Sequence, residues 1–398
     1  MPIPFEFIIF AVTLVGVFVF HHKTARIRIA IGGLLFVMSY KLLIAQDVDL
    51  IDHFAHEWRL VANLLGLLIG FEILADHFKQ SKLAERLPAL LPDDWKGGFV
   101  LLILVYVMSI FLDNIAAAMI GASIGVVVYR GQVTVGYLAA IVAASNAGGA
   151  GSVIGDTTTT MMWIDGVDWR DVTHAFLPSF VALVCFGIPI SIAQDKRHRI
   201  TKDAIVVNPV DFTSLGVVAL ILVGAVAANV WLDFPAVGVW AAIIATMWLR
   251  TPDWHRVPDA AKGATFLLAL VLSASLMPVK SLWEASPSMA FGLGWLSAVF
   301  DNIPLTKLAL DQGGYDWGWL AYSVGCGGSM TPFGSSAGVA VSNDHPRINN
   351  PKVFFKESWP IHIAFVIGFG SLFLIGWAPH VPHKEYTAIS MPLMLYMQ

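Results

Sequence analysis

Charge is what this chain has least of. Only 13% of its 398 residues are Asp, Glu, Lys or Arg, against about 25% in a soluble domain. Cysteine is nearly absent too. Cys185 and Cys326 both lie in apolar sequence, which leaves neither a disulfide framework nor a metal-binding spacing. No basic run resembles a nucleic-acid patch, and a net charge of −4 singles out no charged partner. The opening residues Met1-Pro2-Ile3-Pro4-Phe5 lack a basic leader, and the apolar stretch after them lacks a small-residue cleavage site. That predicts a retained helix rather than a signal peptide. Hydrophobic sequence fills the remainder: 57% of residues, with a mean hydropathy of +0.71. Apolar runs of spanning length recur from end to end, so the chain reads as one multi-pass unit in a lipid bilayer.

Full spans are expected at 3–21, 27–45, 58–77, 136–162, 172–193, 213–232, 235–250, 263–280, 316–342 and 358–378. Two further apolar segments, 98–129 and 288–310, carry an Asp-Asn pair near the middle. The arms of the first are about 15 residues each, roughly 22 Å of helix, short of a ~30 Å hydrocarbon core. Each segment is therefore predicted to be a re-entrant hairpin turning at Asp-Asn, a shape allowed at depth only inside protein or beside a wet cavity. The basic residues fit this layout. Lys79, Lys82, Arg86 and Lys96, then Lys196, Arg197, Arg199 and Lys202, then Arg250, Arg256 and Lys262, then Arg347, Lys352 and Lys356 fall on one side. Acidic loops with Asp47, Asp49, Asp52 and Glu57, and with Asp165, Asp168 and Asp171, fall on the other. The pattern obeys the positive-inside rule, whereas reading 98–129 as a full span inverts every later loop.

The expected fold is an all-α polytopic membrane protein of two inverted repeats, each with five transmembrane helices plus a re-entrant hairpin and a broken helix. The first repeat is 1–193, with hairpin 98–129 and broken helix 136–162. The second is 213–398, with hairpin 288–310 and broken helix 316–342. A polar cytoplasmic linker, 194–212, joins them. Both termini then lie outside, which is the periplasm for a bacterial inner membrane.

Two motifs recur. Asp113-Asn114 and Asp301-Asn302 stand 188 residues apart (113 to 301). Downstream of each, glycines repeat with one spacing: Gly148, Gly149 and Gly155, with Gly151 between, and Gly327, Gly328 and Gly334. A glycine costs about 1 kcal/mol relative to alanine inside a helix, so such clusters predict breaks. Small residues also permit tight helix packing in membranes, but that alternative does not explain two copies, each paired with an upstream Asp-Asn. A break frees backbone carbonyls and exposes half-helix ends. With Ser145, Asn146, Asp156, Thr157, Thr158, Thr159 and Thr160 it makes an oxygen-rich cage, to which the second half adds Asn302, Ser329, Thr331, Ser335 and Ser336. A small hard cation takes such oxygens.

Intramembrane carboxylates are costly and mark ion pathways, which makes Asp113, Asp156 and Asp301 the expected charge carriers. A buried carboxylate lacking compensation holds its proton into the range where protons and cations compete. A helix cap or salt bridge is the plainer role, above all for Asp301, because Lys307 could reach back to it or snorkel outward. His174 and His362, near the starts of the two halves' last spans, are a candidate pH-sensing pair or simply hydrogen-bonded. Glu72, Asp76 and His77 read as the membrane edge, with an access path as the alternative.

The run Ser145-Asn146-Ala147-Gly148-Gly149-Ala150, then Ile154-Gly155-Asp156, Thr158-Thr159 and Met162-Trp163, resembles the NhaD-type sodium/proton antiporter family. That family belongs to the ion transporter superfamily, with the arsenite permeases and the divalent anion/sodium symporters. The resemblance covers the chain in plan and is most specific over 111–163; 300–342 matches more loosely. It implies export of Na⁺ or Li⁺ in exchange for H⁺, no cofactor, and functional roles for Asp113, Asn114, Asn146, Asp156, Thr158 and Thr159. A Na⁺ site at Asp113, Asn146 and Asp156 is the corresponding expectation. The resemblance also implies a homodimer with an elevator-like transport domain. Gly151 and Val153 depart from the family's motif, where a bulky residue and a proline are expected.

Two rival functions remain at this stage. A sodium-coupled carrier of citrate or another di- or tricarboxylate would hold its anion at hairpin tips and helix N-termini, but the relatives of that kind have Ser-Asn-Thr tips where this chain has Asp-Asn. An intramembrane aspartyl protease would use two aspartates as a dyad; its Gly-x-Gly-Asp motif needs glycine where Val153 stands. The expectation is a transporter, not an enzyme.

Overall fold

A computed structural model of the chain describes residues 4–20, 23–201 and 209–381. Lys202 and the middle of the predicted linker lie outside the described residues, as do the last residues of the predicted second repeat. Among the described residues all regular structure is helical. Six helical segments are long and apolar enough to cross a membrane: Thr24–Ala45, Leu50–Gln80, Trp169–Arg197, Phe212–Leu232, Trp254–Ser275 and Pro351–Leu374. The protein is an all-α polytopic membrane protein.

The chain begins with α1 (Phe5–Val19), α2 (Lys23–Tyr40), α3 (Leu50–Gln80) and α4 (Leu83–Leu90). The 98–129 segment is two helices, α5 (Trp95–Met108) and α6 (Asn114–Val128). The 136–162 span is broken into α7 (Val135–Gly149) and α8 (Thr157–Ile164), followed by α9 (Trp169–Thr173) and α10 (Phe176–Arg197). After the linker come α11 (Phe212–Leu232), α12 (Pro235–Thr246) and α13 (Val257–Ser275). The 288–310 segment is again two helices, α14 (Pro287–Ser297) and α15 (Asn302–Gln312). The 316–342 span is again broken, into α16 (Trp317–Gly327) and α17 (Ser336–Asp344), and α18 (Pro351–Ser371) closes the series.

The breaks have local causes. Asp113 accepts from Ile115 N (3.3 Å) and caps α6; Asp301 accepts from Ile303 N (3.1 Å) and caps α15. Asp156 accepts from Thr158 N (3.0 Å) to cap α8, and Ser335 from Gly338 N (3.1 Å) to cap α17. A side-chain oxygen on an otherwise orphaned helical N–H stabilises a start by about 1 kcal/mol. The glycines serve close approach. A Cβ at Gly148 would overlap Tyr106 O and one at Gly155 would overlap Ser109 O; Gly327 and Gly334 stand in the same relation to Gly294 O and Ser297 O. Ser152 Oγ donates to Ile110 O, and Thr331 Oγ1 to Ala298 O. These contacts recur with one register: 188 residues along the hairpins (110 to 298) and 179 along the broken helices (152 to 331).

Every residue of α7 and of α16 is buried, so the broken helices form the centre. Around them the packing crosses between halves: α6 lies on α17, and α15 on α8. One group of helices, α1–α3 with α11–α13, packs mainly among itself; α5, α7, α10 and α18 pack together, and α14 packs on α16. Exposed apolar side chains such as Leu43, Val230 and Trp231 face outward, as a lipid-facing surface requires. At the polar start of α11, Asp211 pairs with Arg250 (2.7 Å), which holds its carboxyl below the usual range, at about 2.

Candidate cation site

The two hairpin tips and the two breaks meet at one centre. Asn114 Nδ2 donates to Asn146 Oδ1 (3.0 Å) and to Asp156 Oδ2 (3.2 Å). Asn146 Nδ2 donates across the molecule to Ser329 Oγ (2.9 Å) and Ser335 Oγ (3.0 Å). Asn146 thus ties the first hairpin and break to the second break, with all five side chains buried. Ser336 Oγ donates to Asp301 Oδ2 (3.2 Å). The N-termini of α6, α8, α15 and α17 bring partial positive charge to the same region, which favours ionised carboxylates there.

Beside this network lies a cavity of about 870 Å³. Its walls include Asp113, Asp156, Thr157, Thr160, Asp301 and Ser336. It also reaches Asp253, His255, Arg256, Asp259, Lys262 and Asp344, four of which (His255, Asp259, Lys262 and Asp344) are exposed. One polar route therefore runs from the three aspartates toward that end of the molecule.

Not every sequence-predicted residue faces it. The Ser145 hydroxyl donates to Val142 O, that of Thr159 to Ser152 O and Asp156 O, and that of Thr331 to Ala298 O. Thr158 contributes its backbone N to the Asp156 cap and is fully buried. Asn302 is buried with Nδ2 unpartnered. The repeat register explains this, because the counterparts of Asn146 and Asp156 are Gly325 and Ser335, and neither takes up the amide. Among the described residues no three His, Cys, Asp or Glu side chains come together as metal ligands; the centre mixes carboxylates with amides and hydroxyls.

Three expectations are corrected. Lys307 neither reaches Asp301 nor snorkels outward. It is 1% exposed and pairs with Glu57 (3.0 Å) and Asp311 (2.7 Å). Burial without partners is too costly for an ammonium, and α3 supplies the distant carboxylate. Glu72 is not merely at the membrane edge: it lines the cavity and pairs with Arg256 (3.3 Å), which also lies 3.0 Å from Asp76. His174 and His362 are not symmetric, because α18 begins at Pro351 and carries His362 well inside it, whereas His174 directly precedes α10. The His362 ring meets Ser358 O (3.3 Å), and neither histidine lines the cavity.

No family model matches the chain. It is similar to two proteins of Arabidopsis thaliana. One, named sodium/proton antiporter 1, is 28% identical over 343 residues, which cover 74% of this chain and 58% of the relative. The other, named sodium/proton antiporter 2, is 26% identical over 372 residues, which cover 77% of this chain and 85% of that relative. The chain thus spans little more than half the length of the first. Sequence reasoning passed over several charged residues of the cavity wall, Asp253, Asp259 and Asp344 toward its exposed end and Arg26 of α2. Arg26 stands between Lys23 and Arg28 at the start of an apolar helix, and such a basic cluster carries no sequence signal beyond membrane sidedness.

Proposed function

We propose that this protein is a secondary transporter that exchanges Na⁺ or Li⁺ for H⁺. The observation that carries the reading is that Asp113 and Asp156 line one cavity, at a hairpin tip and a helix break, with Asp156 in a network of amides and hydroxyls. The similarity to two proteins named sodium/proton antiporters supports it. A dehydrated Na⁺ takes its place between Asp113, Asp156 and the remaining lone pair of Asn146 Oδ1; protons replace it on the same carboxylates when it leaves. Because one set of groups serves both ions, occupancy by one excludes the other, and exchange follows.

In this proposal residues 1–193 and 213–398 are inverted repeats about the 194–212 linker, with both termini outside, the periplasm in a bacterial inner membrane. The polar end of the cavity then faces the cytoplasm, and the described conformation is open inward. The helices that include both hairpins and both broken helices move as one body against α1–α3 and α11–α13, within a homodimer. A sodium-coupled di- or tricarboxylate carrier is the second reading. The cavity volume favours it, since about 300–1,000 Å³ is usual for small-molecule sites. The paired aspartates weigh against it by repelling an anion.

The test uses purified protein in vesicles containing a pH-sensitive dye. After a proton gradient is imposed, NaCl, LiCl, KCl or sodium-free citrate is added. Proton movement triggered by Na⁺ or Li⁺, and lost in folded Asp156→Asn protein, is the expected result. Exchange retained in that variant, or sodium-dependent citrate uptake without cation-triggered proton movement, overturns the reading.

A further inference from the structure

The repeat gives the protein two tip aspartates in different surroundings. Asp113 shares the cavity wall with Asp156 and with Glu72, whose charge Arg256 offsets at 3.3 Å. Asp301 shares it with Asp156 and with Arg26 of α2. Of the lysines and arginines lining the cavity, Arg256 is paired with Glu72 and Asp76 and Lys262 with Asp259, which leaves Arg26 as the cation facing Asp301. The Arg26 Nε is buried with no hydrogen-bond partner, and among the described residues the guanidinium forms no close ion pair, so it acts on Asp301 across the cavity rather than in contact with it. Asp301 is held in place by Ile303 N and Ser336 Oγ, whereas the equivalent Asp113 accepts from Ile115 N.

We infer that Arg26 is a fixed counter-charge for Asp301, making Asp301 a positioning residue and leaving Asp113 and Asp156 as the carboxylates that load and release the transported cation. This rests on the exchange reading above. A guanidinium stays protonated under all working conditions, so its compensation is never given up during a cycle. The mobile cation is attracted to the negative charge that is left, on the first-half side. In this view Arg26 sets how many charges the cavity exchanges: without it, Asp301 becomes a further site for Na⁺ or H⁺.

The test compares wild type, Arg26→Gln, Asp301→Asn and the double variant in the same vesicles. The readouts are the KM for Na⁺ and the sodium gradient at which proton flux is zero under a clamped membrane potential. Arg26→Gln is expected to lower the KM for Na⁺ about tenfold, slow turnover and shift the zero-flux gradient. Asp301→Asn, which leaves the arginine unbalanced, is expected to raise KM. The double variant has the wild-type net charge and is expected to return both readouts to within about threefold. If Arg26→Gln does not fold, the comparison of Asp301→Asn with the double variant carries the test, because recovery there has the same cause. An Arg26→Gln protein with wild-type KM and zero-flux gradient, or a double variant no better than the worse single, overturns the inference and leaves Arg26 an anchor of α2. Absence of Na⁺- or Li⁺-triggered proton movement in wild type is a different failure, that of the exchange reading.

Discussion

Asn146→Ala is the substitution most informative about how the centre is held. The amide makes three hydrogen bonds, at 3.0 Å from Asn114 Nδ2, 2.9 Å to Ser329 Oγ and 3.0 Å to Ser335 Oγ. Interhelical hydrogen bonds in membrane proteins average about 0.6 kcal/mol, so three come to about 2 kcal/mol, and the void left by the amide adds to that. Asn114 keeps only its 3.2 Å bond to Asp156. Unfolding titration in mixed micelles should show a loss of about 2–3 kcal/mol, on the scale of these terms. The double variant Ser329→Ala/Ser335→Ala loses two of those bonds and the α17 cap, about 2 kcal/mol in all. Combined with Asn146→Ala it should add only the cap, about 1 kcal/mol, because the bonds are shared. If Asn146 also contributes a ligand, the KM for Na⁺ rises about tenfold, the equivalent of 1.4 kcal/mol. Wild-type stability in Asn146→Ala, or full additivity with the serine pair, would refute the claim that this amide couples the two halves.

Two other substitutions probe the frame. Gly155→Ala places a methyl against the Ser109 carbonyl, a backbone atom that cannot swing aside, whereas a Cβ at Gly292 meets nothing within 4 Å. The first should cost about 3 kcal/mol and impair exchange, and the second should stay within about 0.5 kcal/mol of wild type in the same titration. Lys307→Met strands the buried Glu57 and leaves the partly exposed Asp311 unpaired, and should cost about 3 kcal/mol, much of it recovered by adding Glu57→Gln and Asp311→Asn. A single Lys307→Met variant as stable as wild type would show that the triad is dispensable.

The sequence by itself determined where the long apolar segments are interrupted. Asp-Asn pairs and glycine clusters act within a few residues, through caps and lost helix propensity, and the four interruptions lie where those residues stand. Membrane character was equally legible, because it is a property of composition and run length. Span ends were less so: α3 extends to 31 residues and α18 starts at Pro351, since polar caps outside the apolar run prolong a helix without changing its hydropathy. Tertiary structure alone decided who meets whom. Lys307 finds Glu57 from 250 positions away, Asn146 reaches the serines of the other half, and Arg26 is brought to the cavity of Asp301. Such pairings depend on which helix faces turn toward each other when the whole bundle packs. A buried charge requires a partner, and the choice among many carboxylates is made by three-dimensional proximity, which a one-dimensional pattern does not contain.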